Sequence, residues 1–339
     1  MAAEAGVTND RFTKAVVWGD YDNDRLPDLY VSNLGGPNRL FHNNGDGTFT
    51  DLAAEAGVTR PRASFPSWFW DVDNDGALDL FVAAYTADIS SIAASFLGRP
   101  VRVELARLYR GDGRGGFTDI AVKAGVAGPH SPMGSNFGDL DGDGFLDFYL
   151  GTGDPDYCNL MTNLMFLNQS GDHFADVTSA GGFGQLQKGH AVVFADFDED
   201  GDLDLFQQLG GAVPGDAFFD AFYENPGFGN HWLSVELVGI RSNRSAIGAR
   251  LFLQVTDDGR RRSIYRWVNS GGSFGANPLR QTVGLGHSRR IDRLEVFWPT
   301  SGATQVFQNL PADRHVRILE GEDRVVELPR PPFALAHRP

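Results

Sequence analysis

Aspartate side chains recur in this sequence at a spacing that could bind a hard metal ion. The stretch Asp196-Phe-Asp-Glu-Asp-Gly-Asp-Leu-Asp204 places carboxylates at positions 1, 3, 5 and 9 of a nine-residue loop, with Gly201 at position 6. Because alternate residues of a tight loop can point inward together, such a loop gathers more negative charge than it can hold without a cation. Oxygen ligands at this density favour calcium, which accepts about six to eight of them, over magnesium, which keeps its waters.

The same spacing occurs at three earlier places, so the sequence predicts four metal loops. Their candidate ligands are Asp20, Asp22, Asp24 and Asp28 in loop 1; Asp71, Asp73, Asp75 and Asp79 in loop 2; Asp139, Asp141, Asp143 and Asp147 in loop 3; and Asp196, Asp198, Asp200 and Asp204 in loop 4. Loop 1 has Arg25 where the others have glycine, and a left-handed backbone there would cost about 1 kcal/mol. The alternative is a set of solvated, Asp-rich turns. An EF-hand is excluded, because its twelfth position holds a bidentate Glu and the residues there are Val31, Val82, Leu150 and Gln207.

Composition limits the classes of protein to which the chain can belong. Its 339 residues suit about two domains, and a hydrophobic content of 42% supplies ample core. The net charge of -15 argues against a nucleic-acid partner, which needs basic surface. No apolar run approaches the ~18 residues that cross a bilayer, so we expect no membrane insertion. The single cysteine, Cys158, excludes an internal disulfide framework and a Cys-based zinc site.

The loops mark internal repeats, which begin at residues 20, 71, 139 and 196. Each repeat reads as a strand, the Asp loop, a second strand, a variable segment and a hairpin. In the first repeat the predicted strands are 15–19, 29–32, 39–42 and 48–52, with a hairpin turn at 43–47. Four strands per repeat at this period are typical of a propeller blade. In the second repeat the variable segment includes 89–97, which we predict to be a short helix.

These residues resemble a known family. Trp18-Gly-Asp-Tyr-Asp-Asn-Asp, Asn136-Phe-Gly-Asp-Leu-Asp-Gly-Asp-Gly and the connector Thr50-Asp-Leu-Ala-Ala-Glu-Ala-Gly-Val are similar to FG-GAP/VCBS repeats, and the similarity covers residues 2 to about 229. The resemblance implies a β-propeller, extracellular or periplasmic, with one calcium ion in each loop-bearing blade and roughly three to four ions in all. Residues 1–7 lack the features of a secretory signal, so a leader would lie outside this sequence.

The number of visible blades departs from the family pattern. Four blades are present where family propellers commonly have about seven. The chain is therefore a fragment of a longer propeller, a closed four-bladed ring, or an arc completed by another chain. An open arc would leave blade faces unpaired and could self-associate.

The pattern changes at Asn230, where the Asp loops stop. Strand-like runs with Gly-rich turns continue over 230–321 and predict a small antiparallel β domain. The motifs Ser245-Ala-Ile-Gly-Ala-Arg, Ser270-Gly-Gly-Ser-Phe-Gly, Val283-Gly-Leu-Gly and Leu294-Glu-Val-Phe-Trp-Pro resemble the ASPIC/UnbV domain, which follows such propellers in cartilage-acidic-protein-like chains. Residues 322–339 form a Pro- and charge-rich tail, which we expect to be loosely packed.

The fold class is thus all-β, and two functions fit it. The first is a calcium-stabilised extracellular binding or adhesion module that recognises a glycan or a protein on the face opposite the calcium loops. Variable loops on one face of a repeat scaffold usually carry binding, and the connectors there include the basic residues Arg60, Arg62, His130, Lys188 and His190.

The alternative is an enzyme of a secreted or biosynthetic pathway. Its pocket would lie on that same face or at the domain junction, near His190, His231 or His287. The G-x-S-x-G pattern around Ser273 does not favour catalysis, because His287 precedes Asp292 and Asn277-Pro278 argues against the helix that a nucleophile elbow needs. We therefore assign no catalytic residue.

Overall fold

The computed structural model describes residues 1–86, 88–153, 161–211, 214–215, 218–257 and 259–335, and it confirms an all-β chain. Six sheets and one short helix account for its regular structure in these ranges. No helix among the described residues is long and apolar enough to cross a membrane.

The first four sheets are the predicted blades. Blade 1 consists of β1 (Phe12–Gly19), β2 (Asp28–Leu34), β3 (Arg39–Asn43) and β4 (Phe49–Asp51); blade 2 of β5 (Ser64–Trp70), β6 (Asp79–Ala84), β7 (Arg107–Gly111) and β8 (Phe117–Asp119); blade 3 of β9 (Pro132–Gly138), β10 (Asp147–Thr152), β11 (Leu164–Gln169) and β12 (His173–Asp176); blade 4 of β13 (Gly189–Ala195), β14 (Asp204–Leu209) and β15 (Ala221–Tyr223). Strands within each blade pair in sequence order, antiparallel throughout. Each metal loop joins the first two strands of its blade.

Aromatic residues between the blades hold the propeller together. Trp68 on β5 stacks on Phe81 of its own blade at 4.4 Å and reaches Phe148 of blade 3 at 6.1 Å. Strands β5 and β9 are buried along their whole length, since both of their faces pack against neighbouring blades. The rings are largely removed from water, and burial of this apolar area is the main favourable term for the blades.

The predicted helix in the second repeat is present as α1 (Ile89–Phe96). Asp88 caps its N-terminus, because the Asp88 carboxylate accepts a hydrogen bond from the backbone N–H of Ser91. The helix follows β6 at the end away from loop 2, so it lies on the face opposite the metal loops.

The C-terminal domain has two four-stranded sheets. Their strands are β16 (His231–Val238), β17 (Arg250–Asp257), β18 (Arg260–Trp267), β19 (Gln281–Gly286), β20 (Arg290–Phe297), β21 (Thr304–Pro311), β22 (Arg314–Leu319) and β23 (Val325–Glu327), in the orders β19-β16-β22-β23 and β18-β17-β20-β21. The pairing is antiparallel as predicted, except that β16 and β22 run parallel. A buried apolar cluster that includes Trp298, Leu253 and Val235 lies between the sheets.

Part of the tail is ordered, which corrects the expectation of loose packing. Strand β23 pairs with β22, and the backbone N–H of Phe333 donates to the carbonyl oxygen of Asp198 in loop 4 at 2.9 Å. Arg330 also forms an ion pair with Glu199 at 2.8 Å. Composition did not indicate these contacts, since they depend on a loop more than 100 residues earlier in the chain.

The four blades form an arc rather than a closed ring. The first strands of successive blades lie side by side, β1 against β5, β5 against β9 and β9 against β13, but no comparable contact joins β13 to β1 among the described residues. As a result Phe12, Val16 and Trp18 on β1 are 64%, 52% and 55% exposed.

The C-terminal domain sends one loop along the inner strands of this arc. Ser273 pairs with Ser135 on β9, and the backbone N–H of Val192 on β13 donates to the carbonyl oxygen of Phe274. The Phe274 ring lies 5.3 Å from that of Phe65 on β5. The Gly-rich motif around Ser273 thus serves as a turn that contacts three blades.

Candidate metal centres

The four loops share the same backbone conformation at two positions. The residue at position 6 has a positive φ in every loop, including Arg25 (75°) as the sequence predicted. Position 4 is also left-handed, at Asn23, Asn74, Gly142 and Glu199. Asparagine and glycine are enriched in this region of backbone space, so Asn23, Asn74 and Gly142 are a further sequence signal for the loop conformation.

The C-terminal domain approaches the loops at their position-6 glycines. A Cβ added to Gly201 would lie 1.8 Å from the Trp232 ring, and one added to Gly144 would lie 2.9 Å from the Arg262 guanidinium. Glycine is therefore needed at these positions for close approach as well as for a positive φ.

The predicted ligands come together in loops 1, 2 and 3. One oxygen from each of positions 1, 3 and 9 lies within 4.8 Å of the other two, in the groups Asp20, Asp22 and Asp28; Asp71, Asp73 and Asp79; and Asp139, Asp141 and Asp147. In loop 4, ligand atoms of Asp196, Glu199 and His315 of β22 lie within 4.8 Å of one another. These clusters could hold a metal ion. Of the position-5 aspartates, Asp24 groups with Asp22 and His42, while Asp75, Asp143 and Asp200 each accept a backbone N–H two residues further on.

The position-9 aspartates tie each blade together as well as facing the loop. One carboxylate oxygen of Asp147 accepts the backbone N–H of Leu140 at 2.7 Å and the other accepts that of Asn168 at 2.7 Å. Asp28, Asp79 and Asp204 make the same two contacts in their own blades. These four side chains are at most 2% exposed.

Several loop oxygens are buried without a hydrogen-bond partner. They are Oδ1 of Asp20, Asp73, Asp139 and Asp198 and both carboxylate oxygens of Asp196. A buried carboxylate oxygen without a partner is costly, because it has lost its hydration. The donor set fits a hard cation such as calcium, which would coordinate these oxygens.

Burial also raises the pKa of several loop carboxyls. The pKa of Asp71, Asp139 and Asp196 is raised to about 7, mainly by desolvation and in part by the negative charge of neighbouring loop carboxylates. Hydrogen bonds from backbone N–H groups, and for Asp139 and Asp196 a nearby arginine charge, lower the pKa but do not cancel the rise. A bound divalent cation would lower these values, since it favours the charged form.

The third strand of each blade presents a different residue to its loop. Strand registers place His42, Arg110, Leu167 and Glu224 at equivalent positions in blades 1 to 4. The Nδ1 atom of His42 lies 3.3 Å from oxygens of both Asp22 and Asp28, and Arg110 forms an ion pair with Asp73 at 2.5 Å. The four loops are therefore chemically different, which the Asp spacing alone did not indicate.

The C-terminal domain docks on the metal-loop face. Arg266 of β18 forms an ion pair with Asp139 of loop 3 at 3.1 Å, and both side chains are almost fully buried. The backbone N–H of Tyr265 donates to the Asn74 side chain in loop 2. In loop 4, Glu199 accepts from Arg280 at 2.5 Å. The connectors and insertions lie on the opposite face of the propeller.

A small cavity lies between the domains at this interface. Its volume is about 60 Å³, and its lining includes Asp71, Asp139, Asp196, Arg266 and Arg280. Space of this size suits a few water molecules, whereas pockets for organic ligands are typically about 300 Å³ or more. The carboxyls with raised pKa that converge here are the candidate metal ligands of the loops, so the cavity does not favour an enzyme.

The other candidate residues do not form a site. His190 lies near the start of β13, at the end away from loop 4, whereas His231 begins β16 and pairs with Asp313 at 2.8 Å. His287 is 68% exposed at its side chain. Cys158 is outside the described residues.

The prediction of basic connector residues at the surface is wrong in part. His130 and Lys188 are 9% and 8% exposed, and burial lowers the pKa of His130 to about 4. Arg60 forms an ion pair with Glu104 at 2.6 Å. Packing of the connectors against the blades covers side chains that composition alone would place in solvent.

Two parts of the chain match known protein families. Residues 20–82 and 71–150 match the FG-GAP-like repeat, and residues 239–325 match the ASPIC and UnbV family. The chain thus contains FG-GAP-like repeats and an ASPIC and UnbV domain. The FG-GAP matches include loops 1 to 3, whereas loop 4 lies outside them.

The chain also aligns with longer relatives. The chain is 29% identical to cartilage acidic protein 1 of Homo sapiens over 307 residues and 28% identical to that of Mus musculus over 305. Each alignment covers 88% of this chain but only 42% and 44% of the relative. The chain thus spans less than half the length of these relatives.

Solved structures give a weaker match. The SapL1 lectin in complex with alpha methyl fucoside is 11% identical with a TM-score of 0.36, over 88% of this chain and 96% of that one. The Tc holotoxin pore of Photorhabdus luminescens is 16% identical with a TM-score of 0.35, over 91% and 14%. Scores this low support no inference about function.

Proposed function

We propose that this chain is a calcium-stabilised extracellular binding module. The observation that carries the proposal is the set of buried, unpartnered carboxylate oxygens in the loops, which need a cation to remain charged. Each ion would neutralise about four carboxylates and hold the first two strands of a blade together. The similarity to cartilage acidic protein 1 supports an extracellular location, periplasmic in a bacterial cell.

The ligand in this proposal is a protein or a glycan, bound on the face opposite the metal loops. The C-terminal domain covers the loop face, so the opposite face is where α1 and the inter-blade connectors are available. Calcium would act from a distance by keeping the blades in register, and it would not contact the ligand. The loop carboxylates have no proton to exchange when they bind metal, which argues against a catalytic role for them.

The proposal is tested by screening arrays of extracellular-matrix proteins and glycans with the chain in calcium and after chelation. We expect binding that requires calcium. Substitution of exposed residues on α1, such as Phe96→Ser, should weaken it. Phe96 is 66% exposed near the end of α1. Val306→Ser, on the C-terminal domain and 43% exposed, is the matched control and should leave binding unchanged. Binding that is lost equally in both variants would contradict the assignment of the face.

A further inference from the structure

Arg266 is a cation that the C-terminal domain places inside a metal loop of the propeller. Its side chain is 5% exposed, and Nη2 lies 3.1 Å from Oδ2 of Asp139 and 3.1 Å from the carbonyl oxygen of Gly144. Asp139 is position 1 of loop 3, and its other oxygen, Oδ1, is buried without a partner. One carboxylate thus faces an arginine on one side and the candidate metal position on the other.

Blade 3 obtains this positive charge differently from blade 2. In blade 2 the third strand supplies Arg110, which pairs with Asp73 of loop 2. Strand register places Leu167 at the equivalent position of blade 3, so that strand supplies no charge. The cations that reach loop 3 belong to the other domain: Arg266 pairs with Asp139, and Arg262 donates to the carbonyl oxygen of Asp143 at 2.5 Å. The backbone N–H of Gly284 in that domain also donates to Asp139 Oδ2 at 3.0 Å.

We propose that Arg266 opposes calcium binding in loop 3, so that calcium binding there and docking of the C-terminal domain are linked. This inference rests on the proposed function, since it requires that loop 3 binds calcium. The domain would then act as a built-in regulator of one of the four loops.

The sign of the linkage follows from charge. Arg266 and a calcium ion are both attracted to Asp139, but they repel each other, and the repulsion is weakly screened because the arginine is buried. Removal of the arginine charge makes the loop more negative and should strengthen calcium binding. By reciprocity, a calcium ion in loop 3 should weaken the interaction of Arg266 with Asp139 of the propeller.

The experiment compares wild type with Arg266→Gln by calcium titration and by melting in calcium and in chelator. Glutamine removes the charge and keeps a polar side chain with an amide donor. In chelator we expect Arg266→Gln to melt at a lower temperature than wild type. With calcium it should show the larger rise in melting temperature, and it should bind one calcium ion about 5-fold or more tightly than wild type does. Arg266→Lys keeps the charge and should behave as wild type in the titration. Arg293→Gln, which breaks an ion pair with Glu295 on the same domain, is the control for loss of an arginine.

A double-mutant cycle assigns the effect to loop 3. Asp141→Asn removes a ligand of that loop, so the change caused by Arg266→Gln should vanish in this background. An equal or smaller calcium effect in Arg266→Gln than in wild type would overturn the proposal, as would a variant that stays unfolded at saturating calcium. A wild-type chain that does not respond to calcium would instead contradict the proposed function, so the two failures are distinguishable.

Discussion

The side-chain amide of Asn168 in blade 3 donates to the carbonyl oxygen of Val72, the second residue of loop 2, at 2.9 Å. The same amide donates to Leu146 in its own blade at 3.1 Å. Asn225 repeats this arrangement one blade later, with Leu140 of loop 3 and Leu203 as acceptors. Loops 2 and 3 are therefore each fastened to the next blade by a buried asparagine near the end of that blade's third strand.

Asn168→Ala should lower the free energy of unfolding by about 1–3 kcal/mol, because two buried carbonyl groups lose their donor. Asn43→Ala is the matched control, since Asn43 occupies the equivalent position in blade 1 but its bond to Pro27 is exposed. In denaturant titrations we expect Asn43→Ala to lower the free energy of unfolding by less than half as much as Asn168→Ala does. Equal losses in the two variants would contradict the inter-blade role.

A loop carboxylate should have opposite effects with and without metal. Asp198 is 7% exposed, and its Oδ1 has no partner. In chelator, Asp198→Asn should melt at a higher temperature than wild type, because like-charge repulsion in loop 4 falls. In calcium it should melt lower and retain one ion fewer by elemental analysis. The exposed Asp323→Asn is the control, and a loss of metal in that variant would show that the count does not report on the loops.

The metal-free protein should become less stable as pH rises. The pKa values of Asp71, Asp139 and Asp196 are raised to about 7 in the folded chain, mainly by desolvation. The folded state then holds protons that the unfolded state releases near pH 4, so this contribution to stability is present below about pH 4 and is lost between about pH 4 and pH 7. Unfolding in chelator at pH 5 and pH 7 measures it. A free energy of unfolding that rises over this interval would contradict the assignment.

Calcium binding should release protons over the same pH interval. The ion favours the charged carboxylates, so it displaces the protons that burial retains. Affinity should rise from pH 5.5 to pH 7.5, and titration calorimetry in buffers of different ionisation enthalpy should detect the released protons. Proton release that is absent near pH 6 would contradict the raised pKa values.

The exposed face of β1 should promote self-association, as the open arc led us to propose. Val16→Lys places a charge beside Trp18 and should shift the chain toward monomer in sedimentation experiments. Val122→Lys is the control, because Val122 is 81% exposed on a connector. Val16→Lys that associates as strongly as wild type would exclude this face as the contact.

Local features were predictable from the sequence, and contacts across long separations were not. The Asp spacing, the turns and the apolar runs predicted the blades, α1 and the left-handed Arg25, since each depends on neighbouring residues. The ion pair of Arg266 with Asp139 joins residues 127 positions apart, and no periodicity marks it. The parallel pairing of β16 with β22 and the order in the tail depend on packing in the same way.

Thermal melting with calcium, with magnesium and after chelation, combined with the metal content of the purified chain, tests most directly whether the loops bind calcium. We predict a rise in melting temperature that calcium produces and magnesium does not, with roughly three to four ions bound per chain. A chain that contains no metal and melts at the same temperature in all three conditions would contradict the central claim.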